Sequence, residues 1–251
     1  MRLRQAGLLA VCLSITCMAP FRRGPLPPQS AADLIGRIFD QAEKLVVFEG
    51  WGELTLTTPE QAFRGSIQLK FRQPDSLWVK VKGPLGIDVL HAVFHGDSSF
   101  LYYPRDHVAY RGRVGAILDD MLPVELESTE TILRYTGLFV PRPAAFEDTV
   151  YQEGGRYHLR RAGRRHLIVD HRGPVVTHCV QWERDETPIW TWEGMRFRKY
   201  GPVRLPALIR LADYRQRQRM NLFYERIWVN RKLPAGWCEL SIPKGVEIIE
   251  Y

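Results

Sequence analysis

The chain has 251 residues, 45% of them hydrophobic and 25% charged, with a formal net charge of +7. This is an ordinary globular composition, and once a leader is set aside roughly 220 to 230 residues remain, enough for one large β domain. The basic balance favours anionic partners such as acidic lipid headgroups, phosphate or nucleic acid. Its spread over many segments, as at Arg160-Arg161 and Arg164-Arg165, counts against nucleic acid.

The first segment reads as a leader. Arg2 and Arg4 form a basic start, and residues 6–16 are an apolar run. That run is shorter than the roughly 20 residues needed to span a bilayer and fits the apolar core of a signal peptide. Cys17 closes it where lipoprotein signals carry the acylated cysteine, although Thr16 is bulkier than the usual residue before such a Cys. Plain cleavage nearby is the alternative. Residues 1–17 are thus a signal peptide with a lipobox-like Cys17. Residues 18–30 are a Pro-rich, extended tether or an unstructured spacer, and residues 31–251 form the domain.

The domain opens on a helical pattern. Leu34, Ile35, Ile38, Phe39, Ala42 and Leu45 recur at spacings of three, four and seven, which puts them on one face. From Val46 the period becomes two. Strands are predicted over 46–57, 67–72, 77–82 and 87–95, with a hairpin at 99–103 and 107–110. Residues 114–121 and 127–138 read as two short helices around Pro123. Strands then resume over 150–152, 157–160, 166–170, 175–183, 189–197, 207–214 and 220–229, and residues 239–243 close the chain. Short strands joined by short turns predict an antiparallel meander. The expected fold is mainly β with a helical lid: a strongly curved antiparallel half-barrel of about eleven strands.

Such a half-barrel, covered by helices, encloses either an elongated apolar cavity or a solid core. The candidate lining residues are Leu34, Ile38, Leu69, Phe71, Val79, Val81, Leu118, Leu133, Trp190, Trp192 and Trp228. The dense aromatic set from Trp182 to Trp228 fits core packing as well as cavity lining.

No nucleophile elbow, zincin, P-loop or dinucleotide motif is present. His91 and His95 lie four apart on a strand, about 13 Å from each other and too far to share one ion. His158, His166, His171 and His178 read as polar outer-face residues. Asp119 and Asp120 are adjacent on a helix and point apart, unlike a catalytic pair facing across a cleft. Beyond the leader there are two cysteines, Cys179 and Cys238; they are either a disulfide or two free thiols. The sequence therefore predicts no metal, no cofactor and no catalysis.

Four features resemble the LolA/LolB lipoprotein-carrier superfamily, with LolB, the outer-membrane lipoprotein receptor, the nearest likeness. They are a leader ending at Cys17 before a helix and a strand meander; Gly83-Pro84-Leu85-Gly86 between two strands; the stretch from Ile117-Leu118 through Ile132-Leu133-Arg134-Tyr135-Thr136-Gly137-Leu138; and Arg204-Leu205-Pro206-Ala207 with the ending Leu240-Ser241-Ile242-Pro243-Lys244-Gly245-Val246. The resemblance spans most of residues 30–250, through short motifs. The chain is longer and more Arg-rich than a typical LolB, which marks a divergent relative.

The resemblance implies an outer-membrane lipoprotein facing the periplasm, held by acyl chains on Cys17. It implies that lipoprotein or lipid acyl chains fill the cavity and that a periplasmic carrier protein delivers them. It also implies that Pro84, Leu85 and Gly86 form a loop that touches the membrane surface. Lys80 and Lys82 beside that loop would meet lipid headgroups. The alternative is a non-enzymatic envelope scaffold or assembly subunit that uses the same fold to bind a protein. An envelope hydrolase is a distant third.

Overall fold

The computed structural model describes residues 26–113, 134–161, 164–184 and 186–250. Its first element is helix α1, Ala31–Glu43. The Ser30 side chain caps it by accepting the Asp33 N–H at 3.1 Å, while the Ser30 hydroxyl donates to the Asp33 carboxylate at 2.6 Å. This reciprocal bond satisfies an N-terminal amide that the helix itself leaves open. Leu34, Ile35, Ile38 and Ala42 form the buried face. They join one continuous core with Leu205 and Ile209 of the sheet.

Among the described residues, fourteen strands make one open, curved sheet. In chain order they are β1 Val47–Thr57, β2 Ala62–Arg72, β3 Ser76–Lys82, β4 Asp88–His95, β5 Ser98–Tyr103, β6 Val108–Arg113 and β7 Thr149–Glu153. There follow β8 Arg156–Arg161, β9 Arg165–Asp170, β10 Val175–Trp182, β11 Pro188–Tyr200, β12 Val203–Asp213, β13 Gln218–Val229 and β14 Glu247–Glu250. The spatial order is β14-β6-β5-β4-β3-β2-β1-β13-β12-β11-β10-β9-β8-β7. Two meanders thus run outward in opposite directions from a central β1–β13 pair. Among the described residues, every pairing is antiparallel except β14 on β6, which is parallel.

The central pair bends where glycines allow it. The β1–β13 register shifts between Trp51 and Gly52, leaving Glu225 as the extra residue on β13. A Cβ on Gly52 would collide with the Phe223 carbonyl, and one on Gly50 with the Tyr224 ring. Glycine at both positions lets the two backbones approach, and the bulge sharpens the local twist.

The expected mainly-β fold with a strongly curved sheet is present, with fourteen strands rather than about eleven. The closing strand is also displaced. Residues 239–243 are not extended in the sheet, because Pro243 has no N–H to donate and Gly245 turns the chain at φ 85°. Pairing begins only at Glu247. The helical cover is minor: α1 and the helical residues 134–136 are its described parts, and most of the predicted insert (114–133) lies outside the described residues. Cys179 and Cys238 are free thiols, the first buried and the second half-buried. Burial pushes the Cys179 thiol up to about 12.

Candidate ligand cavity

On the α1 side of the sheet, the β1–β5 wing and β13 enclose a cavity of about 480 Å³. That lies within the range of about 300–1,000 Å³ typical of small-molecule sites. Leu54, Ile67, Leu77, Ala92, Leu101 and Leu222 form much of its buried wall. Leu56, Phe63, Val79, Val89 and Leu90 are half-buried liners. The polar liners are Gln61, Tyr103 and Tyr135. An apolar chain entering such a space gains about 0.8 kcal/mol for each methylene removed from water.

The structure sorts the expected lining residues into four groups. Leu69, Val79 and Val81 line the cavity. Leu34, Ile38, Phe71, Trp190 and Trp192 are buried but belong to the solid core beside it; Trp192 donates its indole N–H to the Arg134 carbonyl at 3.4 Å. Leu118 and Leu133 lie outside the described residues. Trp228 is a correction. It pairs with Glu49, on the face of the sheet away from the cavity, with the Arg231 guanidinium 5.5 Å from its ring centre. Strict alternation from Leu222 and Tyr224 would carry it inward, but the Glu225 bulge inverts the faces for the rest of β13.

Tyr135 is one of several cavity liners that the sequence did not single out as sites. Its side chain is 9% exposed, and its hydroxyl has no hydrogen-bond partner among the described residues. A buried hydroxyl in that condition costs about 1–3 kcal/mol. Burial holds the phenol well above its ordinary pKa, so it stays a proton donor. The Tyr135 backbone is fixed, since its carbonyl accepts the Tyr224 hydroxyl at 2.7 Å. Two residues on, Gly137 adopts φ 91°, where a Cβ would strike Pro206. The Arg134-Tyr135-Thr136-Gly137 stretch is thereby docked on β11, β12 and β13.

A short turn projects beside the cavity. Gly83, Pro84, Leu85 and Gly86 close between β3 and β4, with the Gly83 N–H donating to the Ile87 carbonyl at 2.8 Å. A Cβ on Gly83 would lie 3.2 Å from Val89 and 3.8 Å from Phe63, both cavity liners. At the tip Leu85 is 98% exposed and has φ 61°. Ile87 is 60% exposed. A non-glycine residue in the left-handed region bears a cost of about 1–2 kcal/mol; here it aims an apolar side chain straight into solvent.

Lys80 and Lys82 lie next to this turn as expected, but both face Asp88. Lys80 is 2.9 Å from its carboxylate and Lys82 3.8 Å, and His91 Nε2 lies 3.1 Å away. Burial works upward on the Asp88 carboxyl, but the Lys80 hydrogen bond and charge, with His91, hold it below its ordinary value. Burial, aided by Lys80, keeps the His91 imidazole below its own. His95 takes a different partner, Ser76, at 2.8 Å, so the two histidines do not converge. Among the described residues no group of three His, Cys, Asp or Glu is placed to hold a metal ion, and no helix is long and apolar enough to cross a membrane.

On the sheet face away from the cavity, Tyr151, His158, His166 and Trp182 stack in a row across β7–β10, at centroid distances of 4.9, 5.1 and 5.9 Å. This is the outer face expected for the histidines.

No protein-family model matches the chain, and no curated protein matches it. Solved structures do. A DUF1329 family protein from Desulfovibrio piger superposes with a TM-score of 0.58 at 11% identity, over 83% of this chain and 95% of that one. An outer membrane lipoprotein-sorting protein domain from Vibrio parahaemolyticus gives 0.55 at 10%, over 80% and 94%. A LolA superfamily protein from Nitrosomonas europaea gives 0.55 at 14%, over 85% and 99%. The chain therefore has the open, curved-sheet fold found in LolA-superfamily and DUF1329 proteins. The likeness is to that fold at large and does not single out LolB.

Proposed function

We propose that this chain is a non-enzymatic carrier or receptor of the bacterial envelope. It holds acyl chains of a lipid or lipoprotein in the β1–β5 cavity and exchanges them at a membrane surface. The observation that carries this reading is a juxtaposition. An apolar cavity of about 480 Å³ lies beside a turn whose tip leucine is 98% exposed. Burying one leucine yields about 1.5–3 kcal/mol, enough to bias docking but not to anchor the protein. Anchoring belongs to acyl chains on Cys17, since stable membrane attachment takes more than one weak signal. The ion pairs at Asp88 give Lys80 and Lys82 a structural role and leave them able to exchange toward lipid phosphate.

The test is native mass spectrometry of the protein purified without detergent, followed by solvent extraction. We expect phospholipid or acyl cargo at close to one per chain, and its loss when Ala92→Phe fills the cavity. An empty, stable protein that also ignores added lipid and lipopeptide would overturn this reading and favour a protein-binding scaffold built on the same fold.

A further inference from the structure

We propose that the chain docks on a lipid bilayer through one rim of its sheet, with Tyr214 and Phe146 as further apolar contacts beside Leu85, so that the cavity mouth faces the bilayer. This rests on the carrier reading above and names the surface and the orientation in which cargo passes between membrane and cavity.

The strand registers place these side chains at one end of the sheet. Lys82 pairs with Ser66, Thr57 with Ala62 and Arg219, and Asp213 with Gln218 and Trp190. Gln181 pairs with Trp190 and Arg165, Arg165 with Arg161, and Arg160 with Thr149. The turns after Lys82 and Asp213 and the turn before Thr149 therefore share one rim. Among the described residues, those turns hold Leu85 at 98% exposure, Ile87 at 60%, Tyr214 at 45% and Phe146 at 105%, whereas the opposite rim exposes only Val46 as a large apolar side chain. The cavity opens at the same rim. Gln61, Phe63, Val89 and Tyr103, the liners nearest those turns, are exposed or half-buried, while Leu69, Leu77 and Phe94 toward the other end are buried.

The Phe146 tip is held in place by its turn. The Asp148 N–H donates to the Ala145 carbonyl at 3.1 Å, and the Ala145 N–H to the Asp148 carboxylate at 2.9 Å. Arg161 clamps this turn through a 3.1 Å ion pair with Asp148 and hydrogen bonds to the Arg142 and Pro143 carbonyls. Counted along the sheet at about 4.8 Å per strand, roughly 20 Å separates Leu85 from Tyr214 and roughly 25 Å Tyr214 from Phe146. Exposed charges stand between them, Glu60 in the first interval and Arg184 in the second. The tips thus form no continuous apolar patch of the kind a protein partner covers, whereas a fluid bilayer accepts each tip separately and suits a tyrosine at headgroup level. Because the sheet is curved, the three tips are not in line, and three points fix a plane. The tether agrees with that plane. Gln152 and Tyr157 hold the Leu26 and Pro27 carbonyls at 2.9 and 2.8 Å, about 10 Å along β7 from its rim end at Thr149. From Leu26 back to Cys17 an extended chain can span about 30 Å, enough for an acylated Cys17 to share the bilayer with the tips.

The experiment uses the full chain and an excess of phosphatidylethanolamine–phosphatidylglycerol vesicles whose acyl chains carry bromine, which quenches an indole that enters the bilayer. Leu85→Trp, Tyr214→Trp and Phe146→Trp, with Val46→Trp from the opposite rim, each add one indole to the seven native tryptophans, and the wild type supplies the baseline. All four replace exposed side chains, and a wild-type melting temperature shows that each variant is folded. We expect the added emission of the first three to shift to the blue and to be quenched, and that of Val46→Trp to be unchanged. Quenching of Leu85→Trp without Tyr214→Trp and Phe146→Trp would overturn the three-point rim, and quenching of Val46→Trp would overturn the orientation. Quenching of none of the four would overturn docking on lipid and leave the tips to a protein partner. In each of these cases lipid extracted at one per chain would leave the carrier reading standing, whereas an empty protein with three quenched tips would overturn that reading and keep the docking rim.

Discussion

The Tyr224 hydroxyl donates a 2.7 Å hydrogen bond to the backbone carbonyl of Tyr135, 89 residues away in sequence. It ties the segment after the central insert to the middle of the sheet, and burial raises the Tyr224 phenol well above its ordinary pKa, so the donor keeps its proton. The Tyr224 ring also packs edge-on against Phe48 at 5.3 Å. Tyr224→Phe keeps the ring contact and leaves a buried carbonyl unsatisfied. We expect a loss of about 1–3 kcal/mol in urea unfolding and faster amide exchange across residues 134–140. Unchanged exchange in that segment would show that other contacts hold it.

Leu85 separates membrane contact from stability. At 98% exposure it packs against nothing, and at φ 61° its backbone is strained. Leu85→Gly should raise stability by about 1 kcal/mol by relieving the left-handed conformation, and Leu85→Glu should change it by less than about 0.5 kcal/mol. Both should weaken binding to vesicles containing anionic lipid, while cargo binding in solution stays at the wild-type level. Wild-type vesicle binding in Leu85→Glu would remove the turn from the membrane-docking role.

Much of this architecture can be read from residue periodicity. Alternation at Ile67, Leu69 and Phe71 and at Leu77, Val79 and Val81 assigns those side chains to one face, and the structure places them there. The helical spacing of Leu34, Ile35 and Ile38 likewise marks the face that α1 buries. Trp228 shows where periodicity fails, because a single bulged residue inverts the faces beyond it and leaves no mark in the hydrophobic pattern. Asp88 was missed because its role depends on Lys80, Lys82 and His91 converging across β3 and β4. Tyr135 was missed because a lone tyrosine in a helical stretch resembles any other core aromatic; only the docked backbone brings the residue to the cavity wall.

The stacked row on the outer face predicts an acid-sensitive fold. Burial first, then the charges of His158 and Arg160, lower the His166 imidazole from 6.5 to about 4, and burial also lowers His178. Between those two pH values the unfolded chain binds a proton that folded His166 refuses, so stability is full above about pH 6.5 and falls toward pH 4. The ring is partly solvated, so the full shift must be discounted. That leaves roughly 1 kcal/mol from His166, a drop of about 2–4 °C in melting temperature. His166→Gln should flatten the melting curve across this window. The contributions of Asp88 and Asp170, whose folded pKa values lie below 3.8, are lost only at lower pH. An acid slope identical in wild type and His166→Gln would assign the sensitivity to another group.

Asn230 closes the fold at the junction between α1 and the central strand pair. Its side-chain oxygen accepts the Val46 and Val47 N–H groups at 2.9 and 3.0 Å, and its amide donates to the Lys44 carbonyl at 2.8 Å. Its own N–H donates to the Val47 carbonyl at 2.8 Å. The backbone stands at φ 55°, a conformation that asparagine tolerates better than most residues. Two effects are therefore superimposed in this one residue, and three substitutions separate them. Asn230→Ala removes the side-chain bonds and strains the backbone, so it should cost most, about 2–3 kcal/mol. Asn230→Gly removes the same bonds but accepts the left-handed backbone, and should cost about 1 kcal/mol less than Ala. Asn230→Asp keeps an acceptor for the two amides but sets a carboxylate oxygen against the Lys44 carbonyl. It should therefore weaken the end of α1 selectively, as faster amide exchange over residues 40–45. Equal losses for Ala and Gly would mean that the side-chain bonds, and not the turn conformation, account for the whole effect.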